Sequence, residues 1–295
     1  MSARFGAVLT AMVTPFDDDG ALNVDAAVKL AKWLTENGSD GLVLTGTTGE
    51  GPVLTDDEDV ELWRAVVEAV TVPVIAGTGT NDTRHTIELT KKAEQCGVDA
   101  ALIVTPYYNR PPQAGLEAHF RAVADSTKLP VLIYDIPIRT GRRVSRDTFV
   151  RLSDVGNIVG VKDAALDVAG SAALRAAMPE SFEIYSGNDD QTLALMAAAR
   201  AVGVVSVASH WAGVHIAEMI AAAEKGDLGH AADVNRRLLG SWDFQTSDAA
   251  PNPIPTKAMM RVMGHPVGQC RLPMGPAPAG LEDEARRVLA GLQRA

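Results

Sequence analysis

Lys162 closes the apolar run Ile158-Val159-Gly160-Val161, a place where a lysine is costly unless its amine has a task. Burial disfavours an ammonium relative to a free amine, and the free amine is the form that attacks a ketone to make a Schiff base. The competing reading is a lysine whose stem covers apolar surface while its head reaches water. Both readings fit this segment alone. Other apolar runs end in an unusual set of polar groups: Gly46-Thr47-Thr48-Gly49-Glu50, Pro106-Tyr107-Tyr108-Asn109, Tyr134 with Arg139 beyond it, and Ser186-Gly187-Asn188-Asp189. The chain has four tyrosines, and three of them fall in this set. Leucine would suffice for packing there, whereas tyrosine needs a partner for its hydroxyl. Hydroxyls gathered around one amine make a proton relay. That convergence favours the Schiff-base reading over satisfied hydroxyls with no catalytic task.

For these groups to meet, the runs that carry them must be neighbours in one sheet. Strands are expected at Ala7–Met12, Gly41–Leu44, Val72–Ala76, Ala100–Val104, Val131–Tyr134, Ile158–Val161, Phe182–Tyr185 and Val204–Val207. Most are continuously apolar, as parallel strands covered on both sides are. Helical patterns lie between them. Thr55-Asp56-Asp57-Glu58 makes a capping box ahead of a stripe of Trp63, Val66, Val67 and Val70, and Ala27, Leu30, Ala31 and Leu34 form another face before Asn37-Gly38. Strand–helix alternation of this kind predicts an α/β (β/α)8 barrel over residues 1–225, with chemistry at the C-terminal strand ends. A doubly wound sheet competes, but the first strand lacks a glycine-rich turn, and Gly77-Thr78-Gly79 is only a fragment of one. Residues 226–295 change character: helical patterns at Ala231–Leu239, Pro255–Met263 and Leu281–Leu292 are separated by proline-rich loops. They predict a helical extension packed on the barrel.

Composition narrows the class. Of 295 residues 46% are apolar and 22% charged, with net charge −10, which suits a folded enzyme and argues against nucleic acid as a partner. The pairs Arg142-Arg143, Arg236-Arg237 and Arg286-Arg287 read as solvated faces. Two distant cysteines, Cys96 and Cys270, make neither a metal motif nor a disulfide scaffold, and Cys96 reads as a buried thiol. No signal peptide or membrane-length run is visible, so a cytoplasmic protein is expected. His210 and His215 have no zinc spacing. Asp189-Asp190 reads as an acidic helix start rather than a metal site, and no metal is expected.

The strand-end motifs, together with Ala11-Met12-Val13-Thr14-Pro15-Phe16, Tyr134-Asp135-Ile136-Pro137, Gly160-Val161-Lys162-Asp163, Pro251-Asn252-Pro253-Ile254-Pro255 and Arg271-Leu272-Pro273-Met274, closely resemble the dihydrodipicolinate synthase family. That family lies within the pyruvate-dependent class I aldolases, which include N-acetylneuraminate lyase. The resemblance spans essentially the whole chain. It implies that Lys162 forms an imine with pyruvate and that Tyr134 moves protons, with Thr47 and Tyr108 completing a relay. It further implies a dimer of dimers in which Tyr108 crosses a subunit interface. Thr48 would hold the pyruvate carboxylate, Arg139 the carboxylate of L-aspartate-4-semialdehyde, and Gly187 and Val205 would line the pocket. No cofactor beyond the covalent imine is implied. Asp163 and Asp135 stand where many relatives have glutamate and asparagine, which leaves open a relative acting on a 2-keto-3-deoxy sugar acid or neuraminate. A non-catalytic barrel would be expected to have lost Lys162 or the hydroxyls. The resemblance also implies remnants of a lysine effector cleft at Asn81, Tyr107, His85, Asp56 and Asp59. His85 replaces the glutamate that meets the ligand's ammonium, so weak lysine inhibition is expected.

Overall fold

The apolar runs become strands because both of their faces are covered, one by the barrel interior and one by helices. The computed structural model describes residues 3–294; Met1, Ser2 and Ala295 lie outside the described residues. The strands are β1 (Val8–Ala11), β2 (Gly41–Leu44), β3 (Val74–Gly77), β4 (Ala100–Val104), β5 (Val131–Asp135), β6 (Ile158–Asp163), β7 (Glu183–Ser186) and β8 (Gly203–Ser206). Helices α1 (Val24–Glu36), α2 (Asp56–Ala69), α3 (Thr83–Gln95), α4 (Gln113–Asp125), α5 (Pro137–Thr140) and α6 (Arg146–Leu152) occupy the first five connections. Then follow α7 (Val168–Ala177), α8 (Thr192–Ala199), α9 (Ser209–Glu224), α10 (Leu228–Phe244), α11 (Ile254–Val262) and α12 (Leu281–Arg294). All strand pairs are parallel, and β8 returns to β1 with Leu9 opposite Val205, closing the expected (β/α)8 barrel.

Alternation along the strands sorts side chains into two cores. Ile133 and Val161 join the layer between sheet and helices, with Leu30, Trp63 and Phe120. Leu132, Tyr134 and Val205 fill the barrel interior with Leu9, Val43 and Leu102. Lys162, next to outward Val161, therefore points inward. The capping box of α2 forms as expected: the Glu58 N–H donates to Thr55 Oγ1 while the Glu58 carboxylate accepts from the Thr55 N–H.

Several strand edges differ from the sequence reading. β3 starts at Val74, because Pro73 has no N–H for the ladder and contributes only its carbonyl, to the N–H of Leu42. β8 starts at Gly203, where a Cβ would sit 2.1 Å from the Ala7 carbonyl oxygen. This glycine marks a close approach of strands rather than a loop. Arg143 is exposed, as a solvated face implies, and it is also paired: its Nη1 meets Asp167 at 2.5 Å, and its Nε lies 3.9 Å from buried Asp135. Asp189 starts a short 3-10 turn, but its carboxylate reaches away to accept the N–H groups of Val207 (2.9 Å) and Ala208 (3.0 Å). It thereby serves the N-terminus of α9. Buried His210 accepts the Val13 N–H at Nε2 and donates from Nδ1 to the Val207 carbonyl, a satisfied core histidine whose pKa burial lowers to about 4. Cys96 is buried.

In the tail, α10 packs on α9, and α11 packs on α9 and α12. Ile254 through Met260 are all buried, so α11 is a core element and not a surface appendage. Its N-terminal end stands against the loop after β2, at the C-terminal mouth of the barrel.

Candidate active site

The centre of the site is set by strand register. Tyr134 on β5 is the direct partner of Lys162 on β6, and both side chains point inward. Each is 5% exposed. Lys162 Nζ lies 4.1 Å from the centroid of the Tyr134 ring. Among the described residues no carboxylate comes within ion-pair distance of this amine, and it makes no hydrogen bond. Gly160, two residues back, permits the approach of β7, since a Cβ there would meet the Glu183 carbonyl oxygen at 2.4 Å. The amine thus lies in a wall too tight for another side chain and faces a ring rather than an anion.

Tyr134 lines a cavity of about 440 Å³ whose wall does not include Lys162, Thr48, Gly187 or Val205. Thr47, Tyr134, Arg139 and Asn252 line one part of it; Asp56, Asp59, Asn81, His85 and Tyr107 line the other. Arg139, on the short α5 that follows β5, reaches the rim. Val205 lies in the interior cluster with Tyr134. Gly187 sits one strand over, its N–H donating to the Asp163 carbonyl at 2.7 Å, and a Cβ there would press on Ala164 at 2.7 Å. Thr48 is buried, and its Oγ1 accepts a hydrogen bond from Asn252 Nδ2 at 3.0 Å. Tyr108 is the outlier. It holds a left-handed backbone (φ +71°) and is 90% exposed, outside the cavity of its own chain. Among the described residues no hydrogen bond joins Tyr134, Thr47 and Tyr108.

The far part of the cavity carries unusual charge states. Asp56 accepts from His85 Nε2 (2.9 Å) and Lys92 Nζ (2.7 Å), and the Lys92 bond leads in holding its carboxyl below the usual range. Asp59 is buried, its Oδ1 has no partner, and burial together with the charges of Asp56 and Glu58 pushes its pKa up to about 8. Behind the central pair, Asp135 and Asp163 face outward on the same register. Burial raises Asp135 to about 7, against the pull of the Val144 N–H. Asp163 is tied to Ser171 Oγ at 2.5 Å and to the Ala165 N–H at 3.0 Å.

Two polar groups at this mouth escaped the sequence reading. Asn252 lies in a Pro-Asn-Pro loop that reads as a rigid turn and a family motif, with no role for the amide itself. Lys257 lies in the buried stretch of α11, fully enclosed and paired with Glu50 at 2.6 Å. A lysine between Thr256 and Ala258-Met259-Met260 was the available signal.

A model of the Dihydrodipicolinate synthetase family matches residues 4–291. The chain belongs to this family. It is 50% identical over 281 residues to the 4-hydroxy-tetrahydrodipicolinate synthase of Acidothermus cellulolyticus, covering 94% of this chain and 89% of that one. It is 46% identical over 291 residues to the synthase of Thermosynechococcus vestitus, covering 98% and 97%. The crystal structure of dihydrodipicolinate synthase from Bacillus anthracis superposes with TM-score 0.93 at 44% identity, covering 98% of this chain and 99% of that one. DHDPS from Cyanidioschyzon merolae with lysine bound gives 0.95 at 41%, covering 99% of both. All four carry the synthase name, which weighs against a sugar-acid or neuraminate enzyme. The chain is an enzyme of the lyase, class I aldolase type, and its reaction is the synthesis of 4-hydroxy-tetrahydrodipicolinate. Among the described residues no three His, Cys, Asp or Glu side chains gather as a metal site requires, and no helix is long and apolar enough to cross a membrane.

Proposed function

We propose that Lys162 is the Schiff-base lysine and that pyruvate and L-aspartate-4-semialdehyde are the substrates. One observation carries this: a buried amine with no counter-ion among the described residues, stacked on the ring of the tyrosine that its strand register makes its partner. Lys162 Nζ attacks the ketone of pyruvate and water leaves, forming the iminium. The positive nitrogen is the electron sink, so a methyl proton can pass through Tyr134 and give the enamine. The enamine carbon adds to the aldehyde, whose oxygen takes up a proton. The amino group of the adduct then attacks the imine carbon, releasing the Lys162 amine and closing the ring. The electron sink is made from substrate and lysine, so the proposal needs no other cofactor.

Thr48 takes the pyruvate carboxylate and Thr47 the relay, with Val205 and Gly187 shaping the floor. Arg139 takes the second carboxylate with its fork of donors. Tyr108, exposed and held in a left-handed turn, is the group a second subunit would receive. We therefore propose a dimer of dimers, although a monomeric variant has been characterised among the structural neighbours. We also propose a catalytic barrel of residues 1–225, a helical extension of 226–295, and a cytoplasmic location. The far part of the cavity is read as an altered effector cleft. The test of substrate identity is a paired assay of pyruvate with aspartate-semialdehyde and with aldehydes derived from sugar acids, plus the cleavage direction with neuraminate. Turnover with aspartate-semialdehyde alone is expected. A preference for a sugar-acid aldehyde would refute the substrate assignment and leave the imine standing.

A further inference from the structure

The loop after β2 is gripped from two directions. On the barrel side, Thr45 Oγ1 donates to the Gly77 carbonyl (3.1 Å) and accepts from Trp63 Nε1 (3.0 Å), while Thr14 Oγ1 donates to the Gly49 carbonyl (2.6 Å). The loop folds so tightly that a Cβ on Gly51 would lie 2.2 Å from the Thr45 carbonyl oxygen. On the other side the grip comes from the tail. Asn252 Nδ2 donates to Thr48 Oγ1 (3.0 Å), and Thr256 Oγ1 donates to Asn252 Oδ1 (3.2 Å), which fixes the face that the amide turns to Thr48. Lys257 Nζ pairs with Glu50 Oε1 (2.6 Å), and the Arg271 N–H donates to Glu50 Oε2 (2.9 Å). Thr48, Glu50, Asn252, Thr256 and Lys257 are all buried.

The hydrogen bond to Thr48 has a directional consequence. A hydroxyl has one proton to give and lone pairs to receive. Because Asn252 supplies a donor to Thr48 Oγ1, the Thr48 proton is left to point elsewhere, as binding an anionic oxygen requires. We propose that Asn252, held by Thr256, is a positioning residue for this reaction: it sets the Thr48 hydroxyl as a donor to the pyruvate carboxylate. The Lys257–Glu50 pair anchors the other end of the same loop, so the helical tail builds the pyruvate site without supplying the reacting groups. This rests on the Schiff-base reading above.

The test is a double-mutant cycle on Asn252→Ala and Thr48→Val, with pyruvate KM, kcat and thermal unfolding measured on the full chain. Loss of Asn252 should raise the pyruvate KM about tenfold, the equivalent of one buried hydrogen bond, with kcat changed far less. The double variant should be no worse than Thr48→Val alone, because the two residues act through one hydroxyl. Thr256→Val, nearly isosteric, should move KM in the same direction by less, and carries the test if Asn252→Ala does not fold. An unchanged pyruvate KM in Asn252→Ala or Thr256→Val, or penalties that multiply in the double variant, would overturn the proposal. Borohydride trapping of wild-type protein with pyruvate separates the two layers. An adduct on Lys162 alongside an unchanged KM refutes only the positioning role, whereas no adduct refutes the reading beneath it as well.

Discussion

Lys162 and Lys257 are both buried, at 5% and 0% exposure, yet they are handled in opposite ways. Lys257 meets a carboxylate at 2.6 Å, a carbonyl at 3.0 Å and the face of Phe16 at 4.0 Å. Burial lowers its pKa while Glu50 pulls it back. Lys162 has, among the described residues, only the Tyr134 ring at 4.1 Å, and that ring lines the cavity. A fully partnered amine is a structural device, since its lone pair and charge are already spoken for. An amine enclosed without an anion is poised to react with a carbonyl carbon. Proteins place unsatisfied buried groups where function requires them, at some cost in stability.

Replacing each lysine by methionine should separate the two roles most widely. Lys162→Met is expected to lower turnover by roughly 10³-fold or more while leaving the unfolding temperature unchanged or raised, because no ion pair is broken. Lys257→Met should instead cost about 3–5 kcal/mol of stability by stranding Glu50. Adding Glu50→Gln to that variant should restore most of the loss. Activity and chemical denaturation on the same preparations test both. If Lys162→Met retained activity, the functional side of the contrast would collapse.

Arg139→Ala sharpens the contrast between first and second substrate. Losing one charge-assisted contact of about 1.5–3 kcal/mol should lower kcat/KM for aspartate-semialdehyde by one to two decades. Imine formation with pyruvate should be spared. Equal loss of both would mean that this arginine serves the pyruvate.

Asp59 is the acidic counterpart of Lys162, buried at the cavity that Tyr134 lines, with an oxygen that has no partner among the described residues. Its pKa is about 8 in the folded chain against an ordinary 3.8. Over that window the folded chain holds a proton the unfolded chain has released. Stability from this group is therefore full below the unfolded value and lost as pH rises through about 8. Asp59→Asn should flatten the decline and gain on the order of 1–3 kcal/mol at pH 8. Denaturation series at pH 5 and pH 8 would show it, and an unchanged slope would count against a protonated Asp59. The smallest effect expected is that of L-lysine. Asp56 is already occupied by His85 and Lys92, so neither acid offers a free carboxylate to an ammonium. Initial rates across millimolar L-lysine should fall little; saturable inhibition below a millimolar would show a working effector site.

The contrast between the two lysines also marks how far the sequence could be read. Lys162 was legible because an apolar run declares a buried strand, and alternation then decides which way each residue points. The barrel followed from the same runs. Lys257 and Asn252 were not legible as site residues, because their partners lie far away in the chain: Asn252 meets Thr48 across 204 residues. Local pattern carries no trace of such a contact. Asp189 misled for a related reason, since an acidic pair before a helix looks like that helix's own start, whereas its carboxylate serves α9. Arg143 likewise finds Asp167 and Asp135 only once β5 and β6 are adjacent. The cross-subunit role proposed for Tyr108 cannot be read from one chain at all.

The most direct test of the central claim is borohydride reduction of the full-length protein with pyruvate, followed by peptide mass spectrometry. The account predicts a single pyruvate-derived mass on the peptide carrying Lys162 and none on the peptide carrying Lys257, although both amines are buried. An adduct on Lys257, or no adduct anywhere, would contradict it.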